Sequence, residues 1–218
     1  MNNPSPKGVA PRGYFQSYYS DRNYAHYAQL LSMIIRHGSP GPILDLGSGA
    51  GFLVEVASRW GVPIVGLEAS ADGIDLTRAR LPSATVVCSD LRFPLPFSEG
   101  TFATVVLNQV IEHLEGDIQA RTIREANRVL QPGGMILVTS PSAYNRKERF
   151  SDPTHLQLLT PRQLRTLLSL NGFRNIMPFN SPFSFFGTSK LLRYIVRAIF
   201  LIAPLDCLSA TANALAYK

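Results

Sequence analysis

Ile43-Leu44-Asp45-Leu46-Gly47-Ser48-Gly49-Ala50-Gly51-Phe52 decides how the rest of this chain is read. Pro42 to Leu46, apolar apart from one acid, reads as a buried strand. The alternating glycines let the backbone turn tightly and approach a ligand that a β-carbon would hold away. Leu53, Val56, Ala57 and Trp60 then fall at i, i+3, i+4 and i+7, which predicts one apolar helix face, with Gly61 as its stop. Strand, glycine turn and helix N-terminus together form the nucleotide-binding corner of a doubly wound α/β sheet.

Spacing decides which nucleotide. A dinucleotide fingerprint is G-x-G-x-x-G, whose third glycine allows close helix–strand packing. Here the order is D-x-G-x-G-x-G, and Phe52 stands where that third glycine would be. The pattern resembles motif I of the class I S-adenosylmethionine-dependent methyltransferases. Its downstream company strengthens the likeness. Phe93-Pro94-Leu95-Pro96-Phe97, then TFATVVLNQVIEHL from Thr101 and REANRVLQPGGMILVTSP from Arg124, follow in the order of the same family. That family includes small-molecule methyltransferases of quinone and natural-product pathways, and the likeness covers roughly residues 41 to 175.

The resemblance implies a Rossmann-like, doubly wound α/β fold. Its sheet is expected to be mostly parallel and seven-stranded, with helices on both faces and a helical insertion before the last strand. Residues 1–40 would hold a tail and an N-terminal lid helix, 41–180 the cofactor-binding core, 181–208 a Phe-rich segment and basic amphipathic helix, and 209–218 the last strand. S-adenosylmethionine is the implied cofactor. Gly47, Gly49 and Gly51 should line its methionine half, with Asp45 beneath the turn. Asp90 and Leu91 should take the adenine and the Asn108 backbone the amino group. Ser48, Phe52, Ala69 and Gln109 complete the implied cofactor-binding set. Glu68 ends a second buried strand, about 20 residues past the glycines, where a carboxylate can accept both ribose hydroxyl protons. A helix-capping role suits it less, because Ser70 is the better N-cap.

Other elements are predicted in turn. An aromatic helical stretch runs from Tyr14 to a stop at His37-Gly38, as a lid over the cofactor or as packing on the sheet. Ala84–Cys88 and Phe102–Leu107 are strands three and four. Ile123, Ala126 and Leu130 give one helix face, with Pro132-Gly133-Gly134 as the stop and Met135–Thr139 as strand five. Thr160-Pro161-Arg162-Gln163 is a capping box with proline at the first helical position. Phe173–Phe179 and Ala212–Tyr217 are the last strands.

Composition sets outer bounds. The chain has 218 residues, a hydrophobic fraction of 45% and a formal net charge of +6, which suits one α/β domain and acidic partners. Cys88 and Cys207 suggest no disulfide framework or metal knuckle. The Pro/Gly-rich start lacks the apolar core of a signal peptide, so a cytoplasmic protein is expected. Asn108-Gln109-Val110-Ile111 lacks the Asn/Asp-Pro-Pro-aromatic pattern of nucleic-acid amino-methyltransferases, and no nucleic acid is expected as partner.

The sulfonium already activates its methyl group, so such an enzyme mainly aligns a nucleophile and supplies a base where the acceptor arrives protonated. His113, after strand four, and His155, in the long loop from Ser140 to Leu159, are the candidates for that base. Either also reads as a structural imidazole. Metal-dependent members of the family carry Glu-x-x-Glu-His and a later histidine. Glu112, His113 and His155 match, but Gln109 replaces the first acid, and no metal is expected.

Lys190, Arg193 and Arg197 lie at i, i+3 and i+7 beside a wide apolar arc from Ser189 to Ala203. That helix fits a lid over the acceptor, a homodimer contact, or peripheral contact with an anionic membrane, the last implying a lipid-like acceptor. The function read from the sequence is methyl transfer to a small-molecule acceptor. A non-catalytic interaction module on the same fold and a nicotinamide-dependent oxidoreductase are the alternatives.

Overall fold

The computed structural model describes residues 13–15, 24–145, 147–148, 152–180, 206 and 209–218. Among the described residues the elements run α1 (Tyr24–His37), β1 (Ile43–Leu46), α2 (Phe52–Arg59), β2 (Ile64–Glu68), α3 (Ala71–Arg80), β3 (Val86–Cys88), β4 (Phe102–Asn108), α4 (Gly116–Val129), β5 (Leu130–Thr139), α5 (Pro161–Leu170), β6 (Arg174–Pro178) and β7 (Ala214–Tyr217). They build a seven-stranded sheet in the order β3-β2-β1-β4-β5-β7-β6. Neighbours from β3 to β5 pair in parallel, and β7 lies antiparallel between β5 and β6. The expected mostly parallel sheet is what forms. The helix read from Ser189 to Ala203, and Phe183 to Phe186, lie outside the described residues.

Successive strand residues point to opposite faces. Val105 and Leu107 of β4 join one apolar cluster while Val106 joins the other; in β5, Ile136 and Val138 oppose Met135 and Leu137 in the same way. Helices α4 and α5 cover the first face through Ile123, Ala126, Leu164 and Leu168, and α1 and α2 the second through Leu31, Ile34, Val54 and Ala57. Both faces are therefore dry, which parallel strands of continuous apolar sequence require. No helix among the described residues is long and apolar enough to cross a membrane.

Two local readings of the sequence are corrected. Trp60 is not on the buried face of α2: the helix stops at Arg59, Trp60 is its C-cap, and Gly61 turns at φ 70°, leaving the indole 53% exposed. Pro132-Gly133-Gly134 does not stop α4. The helix ends at Val129 because Leu130 is already extended (φ −73°, ψ 140°) and pairs with Phe102. The Pro-Gly-Gly stretch instead lies within β5, beside a register shift between Phe102 and Thr104. A β-carbon on Gly134 would come within 3.0 Å of the Ala103 carbonyl oxygen, so this close strand approach needs glycine. The capping box at Thr160 forms as read, with Gln163 N–H on the Thr160 hydroxyl and the Gln163 side chain on Thr160 N–H.

Candidate active site

Sheet order places the site. The chain winds outward from β1 to β3, then returns to lay β4 on the other side of β1. The crevice at the carboxyl ends of β1 and β4 is thus the topological switch point, where open α/β sheets bind ligands. Gly47 follows β1, Glu68 ends β2, Asp90 follows β3, and Asn108 ends β4. The sequence-predicted cofactor residues therefore stand along one edge.

The glycine turn is held from below and behind. Gly47 has φ 70°, and a β-carbon there would come within 2.7 Å of Val110 Cγ2; one on Gly51 (φ 73°) would collide with Thr77. Ser48 Oγ is buried without a hydrogen-bond partner among the described residues, 2.8 Å from where a Gly66 β-carbon would be. The hydroxyl is thus tucked toward β2, and what Ser48 offers a ligand is backbone. Phe52 starts α2, its ring stacked on Tyr27 (5.3 Å, 12° between planes) and lying 3.8 Å below the Arg80 guanidinium carbon. Its ring is engaged in packing, and its backbone opens the helix N-terminus after the glycine turn.

Glu68 braces this turn. Its carboxylate accepts N–H from Gly49 and from Ser70, each at 2.8 Å. The Ser70 side chain makes no cap hydrogen bond, and Glu68 takes the N–H of this N-cap residue instead. Burial pushes Glu68 above the ordinary carboxylate range, with the backbone N–H groups of Ser70, Gly49 and Ala69 pulling it back. Beneath it, burial and then the charge of Glu68 push Asp45 up to about 8. Asp90 goes the other way: burial would raise it, but hydrogen bonds from the Arg92 side chain and backbone outweigh that and hold it low. Leu91 is buried beside it. Asn108 Oδ1 accepts the Thr139 hydroxyl at 2.7 Å, while Gln109, at φ 59°, gives its N–H to the Thr139 carbonyl. Those bonds fix the exit of β4, just before the histidine turn.

Past β4, a 3-10 turn, Ile111–His113, carries Glu112 and His113. The loop from β5 returns to it: Leu156 and Gln157 donate N–H to the Glu112 carbonyl. His113 and His155 then meet, ring centroids 5.0 Å apart. Their tautomers follow from their partners. His113 Nδ1 faces the Thr154 carbonyl at 3.1 Å, and His155 Nδ1 faces the Glu148 carbonyl at 3.0 Å. A carbonyl only accepts, so each Nδ1 carries the hydrogen and, in the neutral ring, each Nε2 carries the lone pair. Ligand atoms of Glu112, His113 and His155 all lie within 4.8 Å of one another. Two imidazoles and a carboxylate form a donor set suited to a borderline divalent cation as well as to proton transfer.

A methyltransferase-domain family profile matches residues 15–177. The chain belongs to the class I S-adenosylmethionine-dependent methyltransferases. Among its relatives is a protein named as a probable S-adenosylmethionine-dependent methyltransferase of Mycolicibacterium smegmatis, 31% identical over 134 residues, which are 60% of this chain and 51% of that one. The mitochondrial ubiquinone biosynthesis O-methyltransferase of Rattus norvegicus is 26% identical over 151 residues, 60% of this chain and 43% of its own. The chain thus spans about half the length of such relatives. A crystal structure of an S-adenosylmethionine-dependent methyltransferase from Archaeoglobus fulgidus shares the fold with a TM-score of 0.73 at 18% identity, covering 95% of this chain and 100% of that one. S-adenosylmethionine is the cofactor of this family, and the oxidoreductase alternative falls.

The structure also gathers around the histidines residues to which the sequence reading gave no role in the site. Asp152 and Thr154 shape the loop around both histidines, and Tyr14 reaches Asp152 from the N-terminal side. Asp152-Pro153-Thr154 is an aspartate-led turn signature, so the turn itself was there to be read. Gln119 of α4 pins the same turn, donating to the carbonyls of Ile111 and Gln157.

Proposed function

We propose that this methyltransferase moves the methyl group of S-adenosylmethionine to a small-molecule acceptor presented at His113 and His155. The observation that carries the reading is the meeting of these imidazoles, each with its Nδ1 bound to a carbonyl, at the carboxyl end of β4. In the transfer the methyl carbon–sulfur bond breaks as the acceptor–carbon bond forms, and the acceptor's proton passes to an imidazole Nε2. Alignment of the nucleophile is worth about 7–11 kcal/mol, and a base adds to it. Asp45, Gly47, Ser48, Gly49, Gly51, Phe52, Glu68, Ala69, Asp90, Leu91, Asn108 and Gln109 form the cofactor side of this reading. An oxygen acceptor is favoured, in keeping with the ubiquinone-pathway relative's name.

Incubation with methyl-labelled cofactor and a cell extract, followed by identification of the labelled product, tests the proposal. A label that stays in the cofactor under every extract tried would favour the non-catalytic module. The lipid-like reading of the acceptor rests on the sequence of residues 189–203, outside the described residues. Co-sedimentation with anionic liposomes, weakened by salt and by Arg193→Glu with Arg197→Glu, tests it.

A second reading rests on the closeness of Glu112, His113 and His155. A divalent cation held there would bind the acceptor oxygen and lower its pKa, as a metal does for water. Its test is direct: cobalt(II) bound by two imidazoles and a carboxylate gives visible absorption, and His155→Ala should abolish it.

A further inference from the structure

The segment 13–15 touches both halves of the site. Gly13 N–H donates to Asp72 Oδ2 at 2.6 Å, in the first turn of α3. Phe15 is buried against Gly73, where a β-carbon would also meet the Gly49 carbonyl oxygen and Glu68 Cγ. Between them, the Tyr14 hydroxyl donates to Asp152 Oδ2 at 2.8 Å, across 138 residues of sequence. Consecutive residues thus fasten the cofactor half and the acceptor half together.

Asp152 is 3% exposed, and its oxygens have divided roles. Oδ1 accepts the Thr154 N–H at 2.8 Å and the Thr154 hydroxyl at 2.5 Å. Oδ2 accepts Tyr14 and lies 3.9 Å from His155 Nε2. Because the Thr154 hydroxyl gives its hydrogen to Asp152, its oxygen can only accept from His113 Nδ1, 3.0 Å away. One carboxylate therefore holds Thr154, whose carbonyl and hydroxyl oxygens both face His113 Nδ1, and the same carboxylate fronts His155.

We infer that Asp152 is a positioning residue for the paired histidines and that Tyr14 locks it in place from the N-terminal segment. The inference rests on reading that pair as the acceptor side of the site. Its chemistry is that of outer partners which orient imidazoles, whose loss typically costs 10–100-fold in activity or metal affinity.

Three variants separate the links. Asp152→Ala removes every acceptor. Asp152→Asn keeps an oxygen for Thr154 but replaces the one that takes Tyr14 with an amide donor. Tyr14→Phe removes that same link from the other end and is the variant least able to disturb folding. Each is studied saturated with S-adenosylhomocysteine, with nitrogen-15 histidines, in spectra that report which ring nitrogen carries the hydrogen.

Wild-type protein should show both His113 and His155 as Nδ1–H. Asp152→Ala should shift and broaden the ring signals of both, as Thr154 loses the carboxylate that holds it and His155 the one that faces it. Asp152→Asn and Tyr14→Phe should keep His113 as Nδ1–H, shift His155, and speed amide exchange at Gly13. Label transfer should fall on the order of 10–100-fold in Asp152→Ala, with KM for S-adenosylmethionine changed less than about three-fold, since cofactor binding is uniform in both. Imidazole signals in Asp152→Ala or Tyr14→Phe that overlay the wild type would overturn the inference. The functional reading fails separately: if His155→Ala transfers label at the wild-type rate while the Asp152 spectra change, the histidines are positioned but not used.

Discussion

Glu68, at the end of β2, accepts the backbone N–H of Gly49 at 2.8 Å, joining two residues of the candidate cofactor site that lie 19 positions apart. Its other oxygen holds Ser70 N–H. A ribose bound here would meet a carboxylate already oriented by the turn it serves, so binding and loop geometry are one property. Glu68→Ala should weaken binding of S-adenosylhomocysteine by about 1–3 kcal/mol, the scale of charge-assisted hydrogen bonds. Calorimetry reads this directly. Unchanged affinity would show that the ribose is held elsewhere.

Asp45 gives the second prediction. Burial, with the charge of Glu68 behind it, pushes this carboxyl up to about 8. The folded value lies above the unfolded one, so between them the native state binds a proton that the unfolded chain releases. Stability contributed by this group therefore falls as pH rises from about 4 to 8. Asp45→Asn imitates the protonated form. Urea denaturation should find variant and wild type alike at and below about pH 4, and the variant increasingly the more stable from there to pH 8. A variant weaker at pH 8 would mean that the ionised carboxylate stabilises the fold.

The histidine pair gives the third. His155→Ala should lower label transfer by about 10²–10⁴-fold, the usual worth of general-base assistance, with cofactor affinity nearly unchanged. EDTA separates the readings of the pair. Transfer lost on chelation and restored by a divalent cation selects the metal; transfer indifferent to EDTA selects the base. An unaltered rate in His155→Ala rejects both.

How much of this was legible beforehand depended on range. The glycine turn and the capping box at Thr160 are local patterns, each set by residues a few positions apart, and both formed where read. Trp60 was misplaced because periodicity says where a face points but not where the helix ends. Leu130 and the Pro-Gly-Gly stretch were misread because glycine and proline mark a bulge in a strand as readily as a helix stop. The approach of His113 to His155, and of Tyr14 to Asp152, depends on how a loop folds back across the sheet. No spacing in the sequence carries it. A resemblance to metal-dependent relatives did name Glu112, His113 and His155 together, yet it could not say that their ligand atoms come within 4.8 Å of one another.

The last prediction ranks two arginines beside the glycine turn. Glu55 of α2 is buried, and both Arg59 and Arg80 approach it, Arg59 at 2.7 Å and Arg80 at 3.6 Å. Distance alone would favour Arg59. Solvent reverses the order, because the Arg59 side chain is 67% exposed and that of Arg80 27%. An exposed i,i+4 pair is typically worth under about 1 kcal/mol. Arg80 also donates to the Ala50 carbonyl of the glycine turn at 3.1 Å and lies over the Phe52 ring. Those contacts together are worth about 2 kcal/mol or more. Arg80→Ala should therefore destabilise the protein more than Arg59→Ala in urea denaturation. It should also weaken S-adenosylhomocysteine binding, since it releases the carbonyl between Gly49 and Gly51, whereas Arg59→Ala should leave binding alone. Equal losses in the two variants would show that Glu55, and not the Ala50 carbonyl, is what Arg80 serves.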